Sequence, residues 1–274
     1  MHTARVALRE QQEYYIIAPG GRQVSLPGCL PYIRRSLSDA RINAYRQHPD
    51  EDDLDLLARY AWNMALGAAL YAPLQCLEVA LRNTLHDALT GYHGTERWYE
   101  RRTAFRDDAT YDKVQKAMAK VPDPSAPDAP GRVVAALGFG FWTTLLSRPY
   151  GSPSSRHTGW RRLWPELVTV AFPHFPHATG TAQDRATLAQ RFDDIRRLRN
   201  RVSHHEPIWK GRIDQSTGRL VSLREQHEEI IEAIDWINPD LARAVRLLET
   251  RTEMFPQVFE QGPRPFRELL AGLP

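Results

Sequence analysis

Apolar residues in this chain recur mostly at spacings of three and four, and the strict alternation expected of a half-buried strand is nearly absent. "SLSDARINAYRQH" predicts a helix with Ser38 as its N-cap, and the long run "DEDDLDLLARYAWNMALGAALYAPLQCLEVALRNTLHDALTGYHG" predicts another. Acids at the start of that run suit the positive end of a helix dipole, Pro73 is expected to divide or kink it, and Gly91 to stop it. "RVVAALGFGFWTTLLS" reads as a further apolar helix, followed by helices near 158–171, 182–205, 222–236 and 239–261. Residues 1–30 carry turn formers ("APGG", "LPGC") and predict an irregular arm with a short strand pair around "YYIIA" and "RQVSL". "VPDPSAPDAPG", residues 121–131, is a proline-rich connector, and "SRPYGSPSSRHTG" is a second loop. The expected fold class is therefore all-α: a mainly helical bundle over 31–262, with the arm before it and a tail at 263–274.

Composition narrows the class without changing it. With 42% apolar and 25% charged residues, the 274-residue chain has the profile of an ordinary soluble globular protein. Two cysteines, Cys29 and Cys76, make neither a disulfide framework nor a four-thiolate metal site, and a reducing cytosol suits them best. No apolar run approaches the roughly 20 residues that span a bilayer, and the first residues lack the apolar stretch of a signal peptide. The expected location is cytoplasmic, with no membrane partner.

Charge redirects attention to one stretch. Between Arg191 and Arg212 seven cations face three acids, a local excess larger than the net +3 of the whole chain. A basic patch on a near-neutral protein points to a polyanionic partner met at one face, or to a solvated helix face. On a wheel of about 100° per residue, Leu188, Phe192, Ile195 and Val202 form one apolar stripe, and Arg199 falls inside it. An arginine there snorkels out, pairs with a buried acid, or faces a cleft that binds an anion. His204 lies about 140° from Arg199 on that wheel. Either Pro207 unwinds the last turn and brings the ring round, or the two residues meet across a symmetric dimer. Asn200, four residues before His204, shares its face and is placed to hold the ring.

A second candidate carboxylate emerges in the same way. Leu74, Leu77, Leu81 and Leu85 line one face of the long predicted helix, with Glu78 at its edge. Its partner is Arg82, four residues on, or Arg199; its role is to orient an arginine or to take part in catalysis. His174 and His177 in "PHFPH" lack a third metal ligand, "HHE" lacks zinc-protease spacing, and "LGFGFW" lacks a dinucleotide fingerprint. No metal and no cofactor is expected. Trp209, just beyond the basic stretch, has the ring to stack on a base.

"RNRVSH" at 199–204 resembles the R-x4-6-H motif of the HEPN superfamily, and the longer "LRNRVSHHEPIW" resembles its Abi-like (abortive infection) branch. "LEVALRN" at 77–83 and "LGFGFWTTLLS" at 137–147 agree with that branch in order, so the resemblance spans roughly residues 55–240. It implies an up-and-down helical bundle with extra helices, a homodimer with both motif helices at the interface and, in active members, metal-independent endoribonuclease activity. Service in phage defence or as a toxin with an antitoxin or regulatory RNA partner is also implied, and some members only bind. Arg199 and His204 are then catalytic, with Asn200, His205, Glu78 and Arg82 supporting, while Arg196, Arg197, Arg201, Lys210 and Trp209 hold RNA.

The chemistry of the residues fits that reaction. Cleavage by the RNA's own 2′-OH needs a group that exchanges protons near neutrality, which histidine is. It also needs a fixed cation against the charge growing on the phosphoryl oxygens, which arginine's planar fork supplies. DNA lacks the internal nucleophile. The rival class is a non-catalytic RNA- or partner-binding module whose arginines only hold phosphates; a second rival is a toxin-antitoxin target silenced by modification near the site.

Overall fold

The computed structural model describes residues 16–17, 23–24, 26–152, 161–176, 182–251 and 254–271, with side chains from residue 32 onward. Among the described residues helix accounts for 71% and strand for only a few per cent, so the class is all-α. Where one helical domain was expected over 31–262, the chain groups into two units. The first comprises Met1–Ala69, His205–Leu223 and Glu253–Pro274; the second comprises Leu70–His204 and Arg224–Thr252.

The first unit begins with the expected antiparallel strand pair, β1 (Ile16–Ile17) and β2 (Gln23–Val24). Helix α1 (Leu26–Leu37) starts inside the segment expected to be irregular, because Pro27 stands in its first turn, where a missing N–H costs nothing. Ser38 does cap α2 (Asp39–Asn43), accepting from the Arg41 amide. Helix α3 (Asp53–His93) then opens on Asp53 and Asp55. Most of the expected tail is helical: α12 (Arg264–Ala271) lays Leu270 on a core of Ile42, Leu56 and Leu57 and pairs Arg267 with Asp55 at 2.5 Å. That contact holds the Asp55 carboxyl below its usual range.

Helix α3 carries 41 residues without interruption, so Pro73 does not divide it. Loss of one helical hydrogen bond is offset by burial of Leu70, Leu74 and Leu77 around the proline, each worth about 1.5–3 kcal/mol. The stop is Gly94, not Gly91: Gly94 adopts φ 70°, and its N–H and that of Thr95 both bond the Thr90 carbonyl. A second correction concerns apolarity. No single run is long, but an 18-residue window of α3 averages a hydropathy of 1.5, enough by length and composition to cross a membrane, with 39% of it buried in the fold.

The second unit continues α3 from Leu70 and adds α4 (Asp108–Met118), capped by Asp107, and α5 (Ala129–Ala136), whose Pro130 lies in the first turn. The stretch expected as one helix over "RVVAALGFGFWTTLLS" is two. Leu137 and Gly138 are extended, the Leu137 carbonyl accepts from Trp142 Nε1 at 3.1 Å, and α6 (Phe139–Leu145) starts afresh. Trp98, Phe105, Phe141 and Trp142 pack edge-on and tilted into an aromatic core. Of the helix expected near 158–171, residues 158–160 lie outside the described residues and only α7 (Val168–Ala171) forms; Pro165 cannot donate within a helix.

Helix α8 (Ala182–Ser203) carries the motif and buries Leu188, Phe192, Ile195 and Leu198. A hairpin of β3 (Arg212–Ile213) and β4 (Leu220–Val221), which periodicity did not reveal, follows in the first unit around an Asp214 turn. Helices α9 (Leu223–Ile237) and α10 (Pro239–Arg251) are joined through a buried His227–Glu249 contact of 2.6 Å. The helix expected at 239–261 ends at α10, and α11 (Phe255–Gln261) begins anew with Pro256 in its first turn.

Candidate anion and nuclease site

Three stretches singled out in the sequence meet at one carboxylate. Helix α6 has no side-chain cap of its own, since Gly138 precedes it. Glu78 of α3 takes that role from 61 positions away: its Oε1 accepts the Phe139 N–H at 3.1 Å. Its Oε2 lies 3.7 Å from Arg199 Nε. Glu78 thus ties "LEVALRN", "LGFGFW" and "RNRVSH" together, and of its two candidate partners Arg199 is the one in salt-bridge range.

Arg199 leaves the apolar stripe of α8 just where the stripe turns from buried Leu198 to half-buried Val202. A cavity of about 400 Å³ opens there, lined by Tyr71, Glu78, Arg82, Arg199, Val202 and Ser203 among others. Two guanidiniums therefore face one carboxylate, a local surplus of positive charge. Arg82 Nε is buried with no hydrogen-bond partner among the described residues, and a buried unsatisfied donor calls for a ligand or a water. Tyr71, Val202 and Ser203 were missed as lining residues; Tyr71 was legible, since it stands seven residues before Glu78 on the same helix face.

His204 is elsewhere. Its N–H still bonds the Asn200 carbonyl at 2.9 Å, so helical geometry persists through it, and the left-handed residue that ends the helix is His205, φ 56°. The unwinding expected from Pro207 does not reach His204, which is exposed and does not line the Arg199 cavity. Asn200 contributes its main-chain carbonyl to the turn, and Ser203 Oγ donates to the Arg199 carbonyl at 3.0 Å.

The basic stretch is less uniform than its sequence. Arg196 and Arg197 both bond Asp193, at 2.6 and 2.9 Å. Burial works to raise the Asp193 carboxyl, but those two arginines outweigh it and hold the carboxyl below its usual range. Arg201, half-buried, remains on the same helix. Lys210 and Trp209 belong to the first unit. There Lys210 Nζ donates to the Ala44 carbonyl at 3.0 Å, and the Trp209 ring packs on Trp62 and beneath Arg59. Trp209 is thus a half-buried packing residue, not a ring held out for a base. Arg59 is itself fixed by Glu51 at 2.7 Å, and its hydrogen bonds pull the Glu51 carboxyl down to about 2.

Beyond the motif, the chain is fastened within the first unit. Asn63 Nδ2 donates to Tyr45 Oη and to the Glu206 carbonyl, while its Oδ1 accepts the Ile208 N–H at 2.8 Å. Arg41 Nη1 donates to the His205 carbonyl at 2.8 Å. Among the described residues no group of three His, Cys, Asp or Glu side chains is placed to hold a metal ion; His177 lies outside them.

No protein-family model matches the chain, and comparisons with curated proteins and with solved structures find no match.

Proposed function

We propose that the chain is a metal-independent endoribonuclease of HEPN type that works as a homodimer, with Arg199 and His204 as its catalytic pair. The observation that carries this reading is the Arg199 cavity. An arginine braced by Glu78, beside a second guanidinium with an unsatisfied buried donor, is an anion site in want of an anion. In the proposed reaction the RNA 2′-OH attacks the adjacent phosphorus, the O5′ bond breaks, and a 2′,3′-cyclic phosphate and a 5′-OH result. His204 exchanges the proton, and Arg199 meets the charge on the non-bridging oxygens. Arg82 is a positioning cation in the same cavity. Because His204 does not line the cavity of its own chain, the reading requires His204 of one copy to approach Arg199 of the other. A role in phage defence or as a toxin follows from the resemblance noted in the sequence.

Complementation tests the reading. Arg199→Ala and His204→Ala homodimers should each be inactive, while a random equal mixture, in which one half of the dimers hold one intact site, should regain about one quarter of wild-type cleavage. Full activity in both single variants would refute it. A purely RNA-binding module is the second reading, favoured by the separation of His204 from the cavity; it predicts RNA affinity without cleavage, lost on Arg199→Ala and untouched by His204→Ala.

A further inference from the structure

A larger cavity in the second unit, of about 660 Å³, lies apart from Arg199 and His204. Its walls come from α4, α6, α8 and the 3-10 turn Arg148–Gly151. Lys113, Arg148, Arg185 and Arg196 line it, and Asp193 is the one acid among its lining residues. Asp193 is spoken for by Arg196 and Arg197, whereas Lys113, Arg148 and Arg185 have no carboxylate in salt-bridge range among the described residues. A neighbouring cavity of about 500 Å³ shares Arg148 and Arg185 and adds Arg162, which is paired with Glu166.

Arg185 is the centre of this arrangement. One of its terminal nitrogens donates to the Leu146 carbonyl at 3.2 Å, and its stem passes so close to Gly151 that a methyl there would come within 3.2 Å of Arg185 Cδ. Gly151 thus leaves room for the arginine to lie against the turn, and one anchored N–H aims a fork whose remaining donors have no carboxylate to meet. Burial, and then the like charge of Arg148, lower the affinity of Arg185 for its proton. Two guanidiniums facing one space without an acid between them is a costly arrangement that an anion relieves.

We propose that this cavity binds an anion with at least two linked phosphoryl groups, as pyrophosphate or as the phosphate chain of a nucleotide. Three uncompensated cations match the three or more negative charges of such a chain better than they match a single phosphate. The lining of the larger cavity contains no aromatic ring on which a base would stack, so recognition rests on charge. Neither catalytic residue of the nuclease reading belongs to the site; of the expected RNA contacts only Arg196 does.

Calorimetric titration of the full chain at fixed ionic strength tests this, with inorganic pyrophosphate, ATP, sulfate and a single-stranded RNA oligonucleotide as probes. Pyrophosphate is expected to bind and sulfate at equal ionic strength to bind at least about tenfold more weakly. Arg148→Ala and Arg185→Ala should each weaken pyrophosphate by about tenfold or more, Arg185→Lys by less, and Arg243→Ala, at an exposed position of α10 that lines neither cavity, not at all. If Arg185→Ala proves unfolded, Arg148→Ala, at an exposed position, and Gly151→Ala, which displaces the guanidinium without deleting it, carry the test. ATP binding that pyrophosphate competes away assigns the phosphate chain of a nucleotide; pyrophosphate binding alone assigns the inorganic ion. No pyrophosphate or ATP binding at millimolar concentration, equal affinity for sulfate, affinities unchanged in both arginine variants, or an effect confined to RNA would each overturn the proposal.

Discussion

Glu78 has two separable jobs, and two substitutions take them apart. Glu78→Gln keeps an oxygen that can accept the Phe139 N–H but loses the charge facing Arg199; Glu78→Ala loses both. The ion pair is 3.7 Å long with Arg199 42% exposed, so its loss should cost well under about 1 kcal/mol of stability. The cap is different. Phe139 is buried, Gly138 offers no side chain, and an unsatisfied N–H at a helix start costs about 1–2 kcal/mol. Urea unfolding should therefore show a shift of about 1–2 kcal/mol for Glu78→Ala and a clearly smaller one for Glu78→Gln. In the RNA cleavage assay the order should change: both variants should lose activity by about tenfold or more, because both release Arg199. Equal stabilities of the two variants would refute the capping role. Wild-type cleavage by Glu78→Gln would refute the bracing of Arg199.

The remaining predictions concern the frame around the site. Arg59→Ala should destabilise the protein by about 3 kcal/mol in urea, since it strips a buried partner from Glu51, a donor from the Tyr45 carbonyl and a cation from the Trp209 ring. The same pair sets an acid limb: the Glu51 carboxyl drops from 4.5 to about 2 on folding, so its stabilisation is complete above pH about 4.5 and fades as pH falls toward 2. Urea midpoints between those values should fall less steeply in Arg59→Met than in wild type. Glu249→Ala should cost about 1–3 kcal/mol by removing the buried partner of His227, with Glu249→Gln milder, as thermal unfolding would report. Trp209→Ala should lower stability by about 2 kcal/mol and leave RNA affinity unchanged, because its ring is engaged by Trp62 and Arg59. A loss of affinity with intact stability would restore it to the RNA surface.

How far the fold could be read depended on what each residue answers to. The 3.6-residue periodicity located α3, α8 and α9 because their leucines and isoleucines face a core, and local capping located Ser38. Periodicity failed where a single residue overrules it: Leu137–Gly138 breaks one apolar run into α5 and α6, and Pro165 leaves α7 only four residues. The β3–β4 hairpin escaped notice because its strands are two residues each, though "DQSTG" carried the turn. In the candidate site, Arg199 was legible as a charge within an apolar stripe, and Glu78 likewise. Arg148 and Arg185 were not, since an arginine on a polar face looks the same whether or not an acid waits across the gap. Nor could the sequence say where His204 points, because a proline three residues on leaves both continuation and unwinding open until His205 is seen to take the left-handed turn.

Asn63 is a position at which only an amide satisfies its surroundings. Its amide nitrogen faces two acceptors, the Tyr45 hydroxyl oxygen and the Glu206 carbonyl, and its oxygen takes the Ile208 N–H. Hydrolytic loss of that nitrogen would leave an aspartate whose charged oxygens confront the Glu206 carbonyl across 3.1 Å. The chain following the motif would lose this part of its fastening, leaving Arg41 and Lys210 to hold it. An Asn63→Asp variant should thus have its Glu206–Ile208 segment more open to proteases than wild type, and limited proteolysis of the two proteins should differ there first.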